Sequence, residues 1–532
     1  MTTQKGSITG CFLVFLVSLL SIGLFLYPAD GWAQKKGGTL KVGFGMTAVK
    51  MDPHMTGASA DIYIDAQIFE RLVYYKWNET TKQAEPIPWL ATKWEVSSDK
   101  MAWTFYLRKG VEFTDGTPFD AEAVKFNIDR LLGPPAGPYT NSYAPVFKSV
   151  DVIDKYTVRL NLKVPAVPLE SFLVQSYIGM MSPASVKKWG DKAGAHPAGT
   201  GPYKLKEWLQ GEKVVLEANM KYWGGRPNLD TVEFIFVPDS SARMNMLQTG
   251  QVDLVFNLDI PDLDKVIQEK KFNVIEYPTT ELLTLTLNNM FKPTNDMAVR
   301  QAIKLAIDRK GIVDKILKGH ATIAESAVAP VIWGGYTTDP VVWDPEKAKK
   351  ILTDAGWIPG QDGIREKKGE RLTLKVRYPT GRYAMCDEVV AVIQNQLNNI
   401  GFDCITEKMG FGPWITAALL PREKTTGDSF IISLPGKEDA YWVVARMRSV
   451  APYAFYQNPT VEKLIEDQLV ETDKTKRREM LKQIQIITSR EAYCANLYFS
   501  NYNIVFKKNV HGVEGTKVPV SDSFNVLNVW ME

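Results

Sequence analysis

The chain has 532 residues, 45% of them hydrophobic and 23% charged, with a formal net charge of +3. That length exceeds what one hydrophobic core organises and predicts several domain-sized units. The near-neutral balance gives no electrostatic case for nucleic acid, and His54, His196, His320 and His511 lack metal-ligand spacing, so neither metal nor other cofactor is expected.

The N-terminus reads as a secretory signal, residues 1–33. Lys5 supplies a thin positive region, an apolar run follows from Cys11 to Tyr27, and Gly31-Trp32-Ala33 is a small-x-small cleavage site. The run is also near the minimum for a spanning helix, so an uncleaved anchor is the alternative. Cys11 follows Gly10 as a lipoprotein cysteine would, but it precedes the apolar run. No later stretch is long and apolar enough to span a membrane, so a soluble, periplasmic or extracellular mature chain is expected. Export permits disulfides. Cys386, Cys404 and Cys494 are an odd set, which leaves one pair plus a free thiol, or three buried thiols.

In chain order, residues 39–44 read as the first strand, Asp52-Pro53-His54 as a turn and residues 64–73 as a helix. The stretch 103–132, WTFYLRKGVEFTDGTPFDAEAVKFNIDRLL, is the densest signal. Trp103, Phe105 and Leu107 alternate with polar neighbours, the period of a half-buried strand. Lys109-Gly110 turns the chain, and residues 111–113 are expected to pair back as a second strand. Gly116 and Pro118 provide turn chemistry, Asp120 is a good N-cap, and Val124, Ile128 and Leu131 share one helix face. Further strands are expected at 157–162 and 203–207, and a helix at 240–249. Later come a helix from Asp344, a β-α-β unit over 372–378, 387–400 and 403–407, and amphipathic helices at 456–470 and 474–489. Alternating strands and helices predict an α/β protein.

Several strings carry a resemblance. They are the 103–132 stretch, Glu70-Arg71-Leu72-Val73, Pro88-Trp89-Leu90-Ala91, Gly199-Thr200-Gly201-Pro202-Tyr203, Tyr222-Trp223-Gly224-Gly225 and Val299-Arg300-Gln301-Ala302-Ile303. Together they resemble the peptide/nickel-type (family 5) extracellular solute-binding proteins of bacterial ABC transporters. The chain departs at Ala123, where that family usually has an acid. The resemblance implies a type II periplasmic-binding-protein fold: two lobes joined by a hinge, plus an extra α/β subdomain. Lobe I would be 34–75 with 200–281 and 499–532, the subdomain 76–199 and lobe II 282–498. The chain would cross between lobes near 283–287 and 497–505, a hinge of two strands. The implied partners are a small solute and the permease subunits in the inner membrane, with the protein a monomer.

The sequence holds no G-x-S-x-G, H-E-x-x-H, C-x-x-C or helix-opening G-x-G-x-x-G, so no catalytic residue is expected and the chain is read as a receptor, not an enzyme. Gly199-Thr200-Gly201 lacks a following Lys-Ser/Thr and reads as a tight turn, not a phosphate loop. In peptide-binding relatives an Arg holds the ligand carboxylate and an Asp its ammonium. The resemblance places these at Arg382, in a G-R-Y turn after a strand, and at Asp439. Arg382 also reads as an ordinary surface arginine, and Asp439 as an N-cap for the helix after it. Leu434 stands where relatives have Trp, and Lys437 adds a positive charge where an acid is common. Tyr383, Trp414, Tyr441 and Trp442 are candidate aromatic walls, with core packing as the competing reading. Phe44 and Met46 end the first strand, and Tyr498 lies on the second crossing. A dipeptide or oligopeptide is the expected cargo. The alternatives are a carboxylate, an oligosaccharide or a nickel chelate on the same receptor, a secreted hydrolase, and an anchored adhesion or chaperone module.

Overall fold

In the computed structural model the described residues are 36–532, apart from 56–58, 79, 81–82, 135–136, 138–139, 166–167, 339, 341, 419–427, 450–455 and 515–523. The expected signal segment and Cys11 lie outside them. The described residues form a mixed α/β fold built on one sheet of eleven strands.

Its two middle strands, Asn273–Thr286 and Cys494–Phe506, run antiparallel along their whole length. Beyond one lie Ser429–Pro435, Thr373–Pro379 and Asp403–Met409; beyond the other lie Leu254–Phe256, Thr39–Phe44, Thr231–Phe236, Lys213–Ala218 and Tyr203–Leu209. Ala321–Ile323 pairs with Cys494–Phe506 off this path. Buried side chains on the two sides belong to different groups. The first core gathers residues from 40–69, 181–275 and 504–529. The second core gathers residues from 282–499, with Ile260 added. Ile275 belongs to the first core, Tyr277 packs against it, and Leu282 belongs to the second, so the crossing falls at 278–281. That is earlier than the expected 283–287, because Leu283, Leu285 and Leu287 are already committed to the second core.

The crossing is irregular. Pro278 opposes Asn501 and Leu282 opposes Phe499, so Thr279, Thr280 and Glu281 face the single residue Ser500. Thr279 Oγ1 donates to the Ser500 carbonyl at 2.8 Å and accepts from the Glu281 amide at 3.0 Å, which holds the bulge in shape. Extra residues in one strand bend it and turn side chains in a new direction.

Residues 72–180 contribute a third, appended core. Within it Ala102–Leu107 has the expected inward alternation, in an antiparallel sheet ordered Ala91–Val96, Ala102–Leu107, Thr157–Leu162, Phe147–Asp154. Residues 111–113 form no second strand. The edge they would occupy is taken by Thr157–Leu162, and Val111 and Phe113 are buried while Glu112 makes a lone bridge to Pro118. Asp120 caps Ala121–Leu132, accepting from the Ala123 amide at 3.2 Å.

The helix expected at 64–73 is Ser59–Ile68, and Val73 already begins the strand Val73–Asn78. What ends it is the loop 199–202. The Gly201 amide donates to the Ile68 carbonyl at 2.9 Å. A Cβ on Gly199 would stand 2.0 Å from the Ile68 oxygen, and one on Gly201 2.5 Å from the Gln67 oxygen, so only glycine permits this approach. Just beyond, the buried Glu70 carboxylate accepts four hydrogen bonds: Trp89 Nε1 at 2.7 Å, Thr200 Oγ1 at 2.8 Å, Tyr222 OH at 2.8 Å and Trp223 Nε1 at 2.7 Å. Arg108 adds its guanidinium over the Trp223 ring at 4.1 Å and donates to the Trp89 carbonyl. Five of the strings quoted above therefore meet at one carboxylate. Burial raises its pKa and the four donors pull it part of the way back.

Nearby, Asp52 takes the Arg130 fork at 2.7 and 2.9 Å, and Arg130 also donates to His54 Nδ1 at 2.8 Å. Nδ1 must then be the acceptor, so the proton sits on Nε2, which donates to the Gly179 carbonyl at 3.1 Å. Cys386, Cys404 and Cys494 are three buried free thiols, each pushed up to about 12 by burial.

Candidate functional site

The bulge at 279–281 opens onto a cavity of about 1410 Å³. Pockets for small organic ligands commonly run to about 300–1,000 Å³, so this one has room for a peptide-sized molecule. All three cores contribute to its wall: Phe44, Met46 and Tyr63 from the first, Val146 and Tyr177 from the appended one with Tyr441 and Trp442 packed against it, and Tyr383 and Tyr498 from the second. Between them stand the crossing strands, through Glu276, Glu281, Ser500 and Asn501.

Seven of the nine expected site residues are on this wall: Phe44, Met46, Arg382, Tyr383, Tyr441, Trp442 and Tyr498. Phe44 is 2% exposed and packs edge-on against Phe256, so only its strand end reaches the cavity. Arg382 is exposed at the rim, in a turn opened by Gly381 (φ 63). Its guanidinium lies 5.9 Å from the Tyr383 ring and 5.8 Å from the Phe411 ring. The next helix, Cys386–Asn398, starts after Met385, a cavity residue held at φ 50 without glycine's freedom. Tyr383 OH accepts from the Ser433 amide at 2.9 Å, which leaves its own proton for another acceptor. Burial keeps this phenol and that of Tyr498 neutral well above the ordinary tyrosine pKa. Tyr498 OH is buried and has no hydrogen-bond partner in the structure. Tyr441 and Trp442 pack on Phe172 of the appended core, at 5.8 and 4.7 Å. Trp442 Nε1 donates to Ser171 Oγ at 3.2 Å, and beside it Gln175 donates to Glu438 at 2.7 Å.

Two expected residues are not on the wall. Asp439 is 6% exposed and both its oxygens are taken by Arg477, at 2.6 and 2.8 Å. The Arg477 guanidinium in turn stacks over Trp333 at 4.6 Å. Asp439 also accepts from the Tyr441 amide at 2.9 Å, the capping bond its position predicts. Trp414, 1% exposed, lies one layer back, edge-on to Tyr383 at 6.4 Å and stacked by Phe411 at 5.8 Å. Its helix, Phe411–Ala418, presents it to the second core.

The charges of the wall were mostly missed in the sequence. Arg243, Arg446 and Arg448 line it, as do Asp259, Glu276, Glu281 and His320. Arg243 is held by the Val237, Pro238 and Asn257 carbonyls at 2.7 to 2.8 Å. His320 joins Asp264 Oδ1 at 3.0 Å to Glu276 Oε2 at 2.8 Å, tying the end of the second core to the helix Ile260–Glu269 and to the crossing strand. Burial works against its protonation, but the hydrogen bonds and charges of the two acids outweigh it, and its pKa is raised above 6.5. Glu276, Glu281, Arg446, Arg448 and His320 carried no sequence signal beyond their charge.

The chain is similar to characterised proteins over most of its length. Residues 85–433, more than half of it, match the family profile "Bacterial extracellular solute-binding proteins, family 5 Middle". It is 29% identical over 481 residues to "Probable D,D-dipeptide-binding periplasmic protein DdpA" of Escherichia coli, covering 87% of this chain and 88% of that protein. It is 27% identical over 481 residues to the nickel-binding periplasmic protein of the same species, covering 87% and 89%. The structure of NikA from Brucella suis in complex with Fe(III)-EDTA superposes with a TM-score of 0.83 at 25% identity, over 93% of this chain and all of that one (100%). Among the described residues no helix is long and apolar enough to cross a membrane. The chain belongs to the family 5 bacterial extracellular solute-binding proteins, which bind solutes for ABC transporters and do not transform them.

Proposed function

We propose that this substrate-binding protein captures a small carboxylate-bearing solute in the cavity at the crossing strands, with a dipeptide or oligopeptide as the leading class. The observation that carries this is the cavity itself: about 1410 Å³, walled by aromatics from all three cores, with the Arg382 fork at its rim. A guanidinium donates two parallel hydrogen bonds to a carboxylate, and aromatic faces accept varied side chains at low entropic cost. The dipeptide named for the Escherichia coli relative supports the peptide class, and the nickel named for the second keeps a non-peptide cargo as the alternative. The first and second cores act as two lobes, and ligand contacted from both favours the closed arrangement. The closed form then docks on the permease from the periplasmic or extracellular side, as a monomer exported through the 1–33 segment.

The test is native mass spectrometry of the purified protein before and after unfolding and refolding to strip any ligand. A released set of masses matching peptides supports the reading. One uniform non-peptide mass overturns the peptide class and leaves the receptor in place. No mass shift, together with no saturable binding of any small solute, overturns both.

A further inference from the structure

The cavity wall is divided by charge. Its second-core segments contribute Arg382, Lys437, Arg446 and Arg448 and no Asp or Glu. Their remaining ionisable imidazole, His320, is already shared between Asp264 and Glu276. The wall's acids, Asp259, Glu276 and Glu281, come from the first core and the crossing strands, where the cation Arg243 is already held by three backbone carbonyls. Of these, Glu276 also accepts from Asn501 at 2.7 Å and Glu281 from Ser433 Oγ at 2.5 Å. Asp439, the acid that could have balanced the second-core side, is withdrawn behind it by the Arg477 fork.

Two of the four cations are conspicuously available. Arg382 has only ring faces beside it, and Arg448 makes one long bond, Nε to the Ala445 carbonyl at 3.3 Å. Neither has a carboxylate within ion-pair distance among the described residues. They come from separate segments, one following the strand Thr373–Pro379 and the other following the short helices at 441–447. The uncommitted hydroxyl protons of the wall add two donors, the Tyr498 phenol and the Tyr383 proton, against one unpartnered acceptor on the crossing strand, Asn501 Oδ1. A guanidinium left without a counter-ion on a cavity wall offers a fork of parallel donors to an anion that reaches it.

We infer that the solute carries at least two anionic groups, one held at Arg382 and a second at Arg448 with Arg446 and Lys437 beside it, and that a free ammonium is not required. This rests on the reading of the cavity as the solute site. Organic dianions meet the description, whether dicarboxylates or peptides with an acidic side chain beside the C-terminal carboxylate.

The test uses the ligand-stripped protein and calorimetric titration with Glu-Glu, its isostere Gln-Gln, N-acetyl-Glu-Glu, glutarate and citrate. Glu-Glu is expected to bind about tenfold or more tighter than Gln-Gln, since one charge-assisted contact has that weight. N-acetylation should change the Glu-Glu affinity by less than about threefold. Arg448→Gln should remove the preference for Glu-Glu over Gln-Gln while the unfolding midpoint stays in place, and Arg382→Gln should weaken both peptides. Equal binding of Glu-Glu and Gln-Gln, or loss of binding on N-acetylation, overturns the inference while the receptor reading stands. Silence of every dianion also overturns it. That silence overturns the receptor reading as well only if Gln-Gln is silent too and native mass spectrometry finds no co-purified solute.

Discussion

Two polar regions of this protein behave in opposite ways. At Glu70 every polar group has a partner, and four donors from distant strings converge on one buried carboxylate. At the cavity wall polar groups are left over: Tyr498 OH and Asn501 Oδ1 have no partner, and Arg382 and Arg448 have no counter-ion among the described residues. Satisfied networks stabilise a fold, whereas unsatisfied groups on a cavity are a cost that a ligand can relieve. The family's sequence signature therefore marks the first region and leaves the second unmarked.

The largest effect should come from breaking the saturated region. Glu70→Ala leaves four buried donors without an acceptor and should cost on the order of 5 kcal/mol in denaturant unfolding, at about 1–3 kcal/mol for each lost partner after relaxation. A loss below about 1 kcal/mol would remove Glu70 from the centre of the network. Arg477→Ala strands Asp439 as a buried charge and should cost about 3–5 kcal/mol of stability. If Asp439 instead serves the ligand, the same variant will alter affinity with little change in stability.

At the unsaturated wall the pattern should invert. Tyr498→Phe removes a hydroxyl that has no partner, so stability should hold or rise slightly. Ligand affinity should fall by about 0.5–1.5 kcal/mol, as for one neutral hydrogen bond, measurable by calorimetry on the co-purified solute. An unfolding midpoint that drops with affinity unchanged would make Tyr498 a core residue. The smallest effect is at His320. Its folded pKa is raised, so its contribution is fully present below its unfolded value of about 6.5 and is lost as pH rises through the folded value. His54 acts in the other direction. Held neutral with its pKa lowered to about 4, chiefly by burial, it takes stability away as pH falls from about 6.5 toward that value. The stability difference between wild type and His320→Gln should therefore shrink as pH rises from 6 to 9, whatever His54 contributes, and a flat difference would mean that His320 is not charged between Asp264 and Glu276.

The same contrast explains what could be read without the structure. Ala102–Leu107, Ala121–Leu132 and the unit over 373–409 followed from period and capping, because local pattern fixes them. The second strand expected at 111–113 failed because a segment some 45 residues later, Thr157–Leu162, competes for the same sheet edge. Arg382 and the aromatic wall followed from the resemblance. The fate of Asp439 did not, since its partner Arg477 lies 38 residues away on another helix and nothing local announces the pair. Arg448, Glu281 and His320 were invisible for a similar reason: a bulge and two turns, not a motif, bring them to one cavity.

The crossing strands also set an order on the making of the protein. The first core is closed by residues 504–529, and the helix Ser59–Ile68 is tied down through Gln67 by the Phe524 carbonyl and the Val526 amide. That core remains open until nearly the whole chain has been synthesised. The buried residues of the appended core all fall within 72–180, and only its outer packing by Trp223, Tyr441 and Trp442 comes later. Until residues 504–529 arrive, the main body therefore stays unfinished while the appended unit is already in place.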